Sequence, residues 1–150
     1  MPGAALKPAS PRATSALDAA AMRAESGGGD TGLARLIFAA GDGDAAAQLV
    51  LGLRYLDGDG LPRAPGQAVH WFRKAAEQNE PRAQYWLARC HLTGDGVRRS
   101  RKRAYFWCRL ACANGQADSG SIAAGAGQHL TPRERRWTEA EVRAVLCRRH

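Results

Sequence analysis

The 150-residue chain has no run of the roughly 18 consecutive apolar residues that a membrane-spanning helix needs. No Cys-x-x-Cys pair occurs, so a zinc knuckle has no ligands. The glycine fingerprints of phosphate and dinucleotide loops are missing, as is any pairing of a nucleophile with a base. These gaps exclude the enzyme classes that announce themselves by motif, and the expectation is a chain without catalysis, cofactor or metal. Its net charge of +8 is unevenly spread. Residues 1–96 carry 10 Lys/Arg against 10 Asp/Glu, whereas residues 97–150 carry 12 against 4. Such a distribution describes a basic patch on an otherwise balanced protein.

What is present is a repeat. Residues Ala46 to Ala117 are a 36-residue stretch written twice without a gap, as Ala46–Pro81 and Arg82–Ala117. Ala47, Gln48, Leu51, Leu56, Gly58-Asp59-Gly60, Arg63, Ala68, Trp71, Arg73 and Ala75 recur 36 positions later, giving 12 identities. A period between about 20 and 50 residues is the signature of a solenoid.

Each copy reads as two helices. Ala47, Leu51 and Tyr55 share one helical face over about Asp44–Asp57, with Asp44 as N-cap. Gly58-Asp59-Gly60 ends that helix, and Leu61 returns the loop to the core. Pro65 opens a second helix to about Gln78, whose inner stripe is Ala68, Trp71, Phe72, Ala75 and Ala76. Asn79 stops it in a place that suits a left-handed residue. The second copy repeats the scheme with helices over Pro81–Thr93 and Ser100–Ala113. Trp71 and Trp107 hold equivalent positions, so both are expected to be largely buried.

These residues resemble the Sel1-like repeat family, a relative of the tetratricopeptide repeats. The first copy keeps Ala47, Leu51, Gly52, Tyr55, Gly58, Gly60, Ala68, Trp71, Lys74, Ala75 and Ala76 of its pattern. The second keeps Ala83, Leu87, Gly94, Gly96, Val97, Ala104, Trp107, Ala111 and Gly115, and departs at Ala88, His91, Ser100 and Cys112. The resemblance implies an all-α fold, a short right-handed α-solenoid of antiparallel helix hairpins, used as an adaptor or scaffold. Some secreted members clamp each repeat with paired cysteines. Here the first copy has none, and Cys90, Cys108, Cys112 and Cys147 read instead as free buried thiols of a reducing compartment.

The flanks complete the plan. Residues 1–29 are rich in Ala, Pro, Ser and Gly and lack the apolar core of a signal peptide. They read as a disordered segment, with Ser15–Glu25 the one helix candidate, and the expected location is cytoplasmic. Residues 30–45 hold a degenerate leading helix, in which Ala39-Ala40 stands 36 before Ala75-Ala76. Residues 118–150 form a degenerate third repeat: a glycine-rich helix over Ala117–Leu130, then a capping helix opened by Thr131-Pro132-Arg133-Glu134. Trp137, Ala140, Ala144 and Val145 give that last helix its apolar side.

Four constellations bear on function. Cys90, His91 and Cys108 come near one another on paired helices, but His91 holds the place of Tyr55, which makes it a core residue. The Asp-Gly-Asp-Gly loop lacks the other ligand positions of a calcium loop, and turn chemistry accounts for its aspartates. In such solenoids the first helices line a concave face. Leu49, Val50, Leu53, Trp86 and Arg89 therefore form an apolar groove with a basic edge, or Trp86 packs on the helix before it. The fourth is Arg98, Arg99, Arg101, Lys102 and Arg103, whose counterparts in the first copy carry a single charge. The run is either a docking surface or a solubilising patch. The expected partner is a protein with an acidic surface, bound through groove and patch. The alternative is nucleic acid or another polyanion on the C-terminal basic surface.

Overall fold

A computed structural model describes residues 31–149. The expectations for residues 1–29 lie outside these residues. Among the described residues the fold is all helix, without strands. The helices are α1 (Thr31–Gly41), α2 (Ala45–Asp57), α3 (Pro65–Glu77), α4 (Pro81–Thr93), α5 (Arg101–Ala113), α6 (Ser119–Gln128) and α7 (Pro132–Arg148). They fall into two compact units that divide inside α3, between Ala75 and Ala76.

In the first unit α1 packs on α2, and Gln48 of α2 donates from Nε2 to the Ala40 carbonyl at 3.0 Å. That carbonyl lies in the last turn of α1, where it also accepts from the Gly43 N–H at 3.1 Å. The second unit repeats the bond 36 residues on: Gln84 Nε2 donates to the Ala76 carbonyl at 3.1 Å. Both glutamines are buried, so each bond is made away from water. Gln84 does more. Its Oε1 accepts from Asn114 Nδ2 at 3.0 Å, and Asn114 Oδ1 accepts from Arg149 Nη1 at 3.2 Å. A relay of polar groups thus joins the end of α3 to the residue after α7.

The loops repeat as faithfully. Gly58 and Gly94 end α2 and α4 at φ of 75° and 79°, a region closed to most side chains. The Tyr55 carbonyl accepts from Ala64 N–H, and the His91 carbonyl from Ser100 N–H, both at 2.9 Å. Asp44, Glu80 and Ser100 cap the helices that follow them. Asn79 takes the left-handed conformation, with φ 71°. At Thr131 the capping box is complete. The bonds that Thr131 gives through its backbone N–H and then its hydroxyl hold the Glu134 carboxyl below its usual range.

In the second unit α5 is central, packing on α4, α6 and α7. Two expectations change here. Trp71 is buried, but Trp107 is only partly so, lying against Ala88, Tyr105, Cys108, Ala123, Ala126 and Leu130. α6 is built of Ser, Gly, Ala, Gln and one Ile, and has little bulk to cover an indole. The buried side of α7 is not Trp137, Ala140, Ala144 and Val145. It is Thr138 and Val142, while Trp137 stays 50% exposed. Polar contacts orient the helix: Tyr105 donates its hydroxyl to Glu139 Oε1 at 2.6 Å, and Arg135 Nη2 donates to the Gly127 carbonyl at 2.7 Å.

Two glycines of α6 separate helix propensity from packing. A Cβ at Gly125 meets nothing within 4 Å, whereas one at Gly127 lies 2.9 Å from Tyr105 Cε2. The Tyr105 ring is buried and tethered through its hydroxyl, so it cannot swing aside. Gly125→Ala is expected to stabilise the protein by about 0.5–1 kcal/mol. Gly127→Ala is expected to cost about 1–3 kcal/mol from overpacking. Urea denaturation of both variants checks the opposite signs.

Candidate partner-binding surface

Of the five residues expected to line a first-helix groove, Leu49 is removed. It is 2% exposed and belongs to the core beside Gln48 and Leu51. The contiguous run Gln48, Leu49 and Val50 spans too wide an arc of α2 to share one face, and it is Val50 that turns outward, at 39% exposed. Leu53 is partly buried on the same helix.

On α4 the arrangement is tighter. The Arg89 guanidinium carbon lies 4.8 Å from the Trp86 ring centroid and 5.8 Å from that of Tyr85. Tyr85 and Trp86 meet edge to face at 5.8 Å. Trp86 is partly buried and Arg89 exposed, so the cation covers the indole at the surface.

The basic run separates into two kinds of cation. Arg98, Arg99, Arg101 and Arg103 are exposed, and none is ion-paired among the described residues. Ser100 caps α5 by accepting from the Arg103 N–H at 3.2 Å, and the first turn of α5 holds no acidic residue. Lys102 is different: its Nζ lies 3.5 Å from the Trp137 ring centroid on α7. Sequence reasoning placed Lys102 in the run but missed Trp137. The available signal was an indole set among Arg133, Arg135 and Arg136, a poor position for a core residue.

The remaining chemistry-bearing groups are quiet. Burial pushes the Cys90 thiol up to about 11, and Asp95 adds to the rise. Burial likewise pushes the Cys108 thiol up to about 12, with Cys112 beside it. Both are neutral at pH 7 and poor nucleophiles. Cys112 is partly buried and Cys147 exposed, so two of the four cysteines are not the buried thiols expected. His91 is buried like Tyr55. No group of three metal-ligating side chains occurs among the described residues, and no helix there is long and apolar enough to cross a membrane.

The comparisons bear on the fold. The model of the Sel1 repeat matches residues 45–80 and 81–116. A protective antigen present in uropathogenic Escherichia coli strains, displaying an SLR fold, is similar at 29% identity and a TM-score of 0.69. The match covers 83% of this chain and 28% of the antigen, so the chain spans little more than a quarter of that relative. A Sel1 repeat protein from Oxalobacter formigenes is similar at 28% identity and a TM-score of 0.61, over 73% of this chain and 86% of the other. No curated protein matches the chain.

The arginine run is a surplus that the helix does not use. Cations in a first turn oppose the helix dipole by about 0.3–1 kcal/mol each at low salt. Replacing Arg98, Arg99, Arg101 and Arg103 together by Gln should therefore leave the melting temperature unchanged or raise it. Thermal denaturation at low ionic strength measures this, and a large drop would mean that the run holds the fold.

Proposed function

This chain is a Sel1-repeat α-solenoid, and we propose that it is a non-catalytic protein–protein interaction module, an adaptor or scaffold. Sel1 repeats are in general protein-interaction modules. The finer reading is that a partner with an acidic surface engages the basic run together with Trp86 and Arg89 on α4 of the same unit; in the first unit, Val50 and Leu53 on α2 are accessible as a surface of their own.

The observation that carries this reading is the state of the four arginines. They are exposed, lack acidic partners among the described residues, and stand where the first copy has Pro62, Arg63, Pro65 and Gln67. Four cations held close on a surface create a positive potential that steers an acidic partner and sets its orientation. The Trp86–Arg89 stack belongs to the residue types that anchor interfaces.

The test is a partner recovered with the full chain and then purified. Its affinity is measured for the wild type and for the variant with Arg98, Arg99, Arg101 and Arg103 changed to Gln, across a salt series. The variant is expected to bind at least about tenfold more weakly and with a flatter salt dependence. Unchanged affinity would contradict a role for the run. Random duplex DNA is the second arm: tight binding whose logarithm falls by about 0.9 per phosphate contact with log salt would transfer the run to polyanion binding.

A further inference from the structure

We propose that the cleft between α5 and α7 is a docking site for an acidic peptide segment of a partner protein, seated by one apolar side chain. The proposal rests on the interaction-module reading and narrows it to a pocket and a chemistry.

The cleft has a volume of about 360 Å³. That lies at the small end of ligand pockets, about 300–1,000 Å³, and suits one or two side chains rather than a cofactor. α5 contributes Phe106, and α7 contributes Trp137, Ala144 and Val145. These four make its apolar lining. On α7 the stripe of positions 137, 141, 144, 145 and 148 follows helical spacing, next to the buried stripe of Thr138 and Val142. Trp137, Ala144 and Val145, three of the four residues that hydrophobic spacing gave as the apolar side of α7, therefore line an open cleft. Trp137, 50% exposed, is the largest apolar group left at the surface among the described residues.

Charge names the occupant. Lys102, Arg103 and Arg148 face the cleft, against Glu141 alone. The Lys102 ammonium, 3.5 Å from the Trp137 centroid, is held by the ring at the opening. Carboxylates flanking an apolar residue meet fixed cations there, while the apolar residue enters between Phe106, Trp137 and Val145. Glu141 limits where those carboxylates sit and offers an acceptor to a peptide N–H. A second copy of the chain is a poor occupant, because residues 97–150 carry +8 and two such faces repel. Nucleic acid is also poorly served: Lys102 covers one face of the indole against base stacking, and Glu141 repels phosphate.

The probe is a short fluorescein-labelled peptide of Asp and Glu residues flanking a central Leu-Phe pair, titrated with the full chain and read by anisotropy. Its counterpart with Ala-Ala at the centre tests the apolar anchor. Trp137→Ala and Lys102→Gln are each expected to weaken binding at least about fivefold, the loss of an interface anchor. Ala144→Arg fills the cleft without removing a packed group and should do the same. Arg73→Gln on α3 should change nothing. Circular dichroism melts establish that every variant folds.

Wild-type affinity in both Trp137→Ala and Ala144→Arg would overturn the proposal, as would equal binding of the Ala-Ala peptide. Displacement of the peptide by a short DNA duplex at lower concentration, or a dimer in sedimentation abolished by Trp137→Ala, would assign the cleft to another occupant and overturn it too. With the purified partner, loss of binding in the four-arginine variant but not in Trp137→Ala keeps the interaction reading and removes the cleft. Retention in both removes the two together.

Discussion

Gly52 on α2 and the Phe72 ring on α3 set how near the paired helices of the first copy lie. A Cβ at position 52 would stand 2.6 Å from Phe72 Cε1 and 3.2 Å from the Ala68 carbonyl. The ring is fully buried and has nowhere to go. The corresponding pair in the second copy is Ala88 and Cys108, both fully buried in one cluster. One side gains a methyl where the other loses an aromatic ring. A similar trade occurs three positions earlier: Val69 becomes Tyr105, and the Tyr105 ring is then met by Gly127 on α6. The repeat conserves close packing between helices rather than the residue at each place.

Much of this was legible in the sequence, and the part that was not has a physical reason. Helix ends were legible because they are local: Asp44, Asn79, Ser100 and Thr131 act on residues within a turn of themselves. The substitution of Gly by Ala at position 88 is visible as a departure from the pattern, but its compensation at Cys108 lies 20 residues away on another helix. The orientation of α7 was misread for a related reason. Hydrophobic spacing pointed to Trp137, Ala140 and Val145, whereas the helix is turned by the Tyr105–Glu139 and Arg135–Gly127 bonds, which have no hydropathy signature. Of the candidate site, the arginine run was plain from charge alone. Leu49 was not separable from Val50, because adjacent residues on a helix differ in burial by how the helix is rotated.

The division between what the fold consumes and what it leaves over carries the functional reading. Alanine, glutamine and the aromatic residues of the inner stripes are spent on contacts between helices. The buried thiols of Cys90 and Cys108 are held neutral and idle. Exposed arginines at the start of α5 serve none of these contacts, and Trp137, though it meets Lys102 of α5, stays half-exposed. They gather in the second unit, where the two copies differ most in charge. A scaffold whose interior is fixed by size matching can change its outer residues freely, and binding specificity of a repeat module resides there.

The packing of the repeat depends on that size matching. A double-mutant cycle in chemical denaturation measures it, using the residues of the second copy in the first: Gly52→Ala, Phe72→Cys and both together. Gly52→Ala alone should cost about 1–3 kcal/mol through overpacking against the ring. With Phe72→Cys already in place the same change should be neutral or stabilising, since alanine favours a helix over glycine by about 1 kcal/mol. The predicted coupling is at least about 1 kcal/mol. Additivity to within about 0.3–0.5 kcal/mol, as for independent sites, would contradict it.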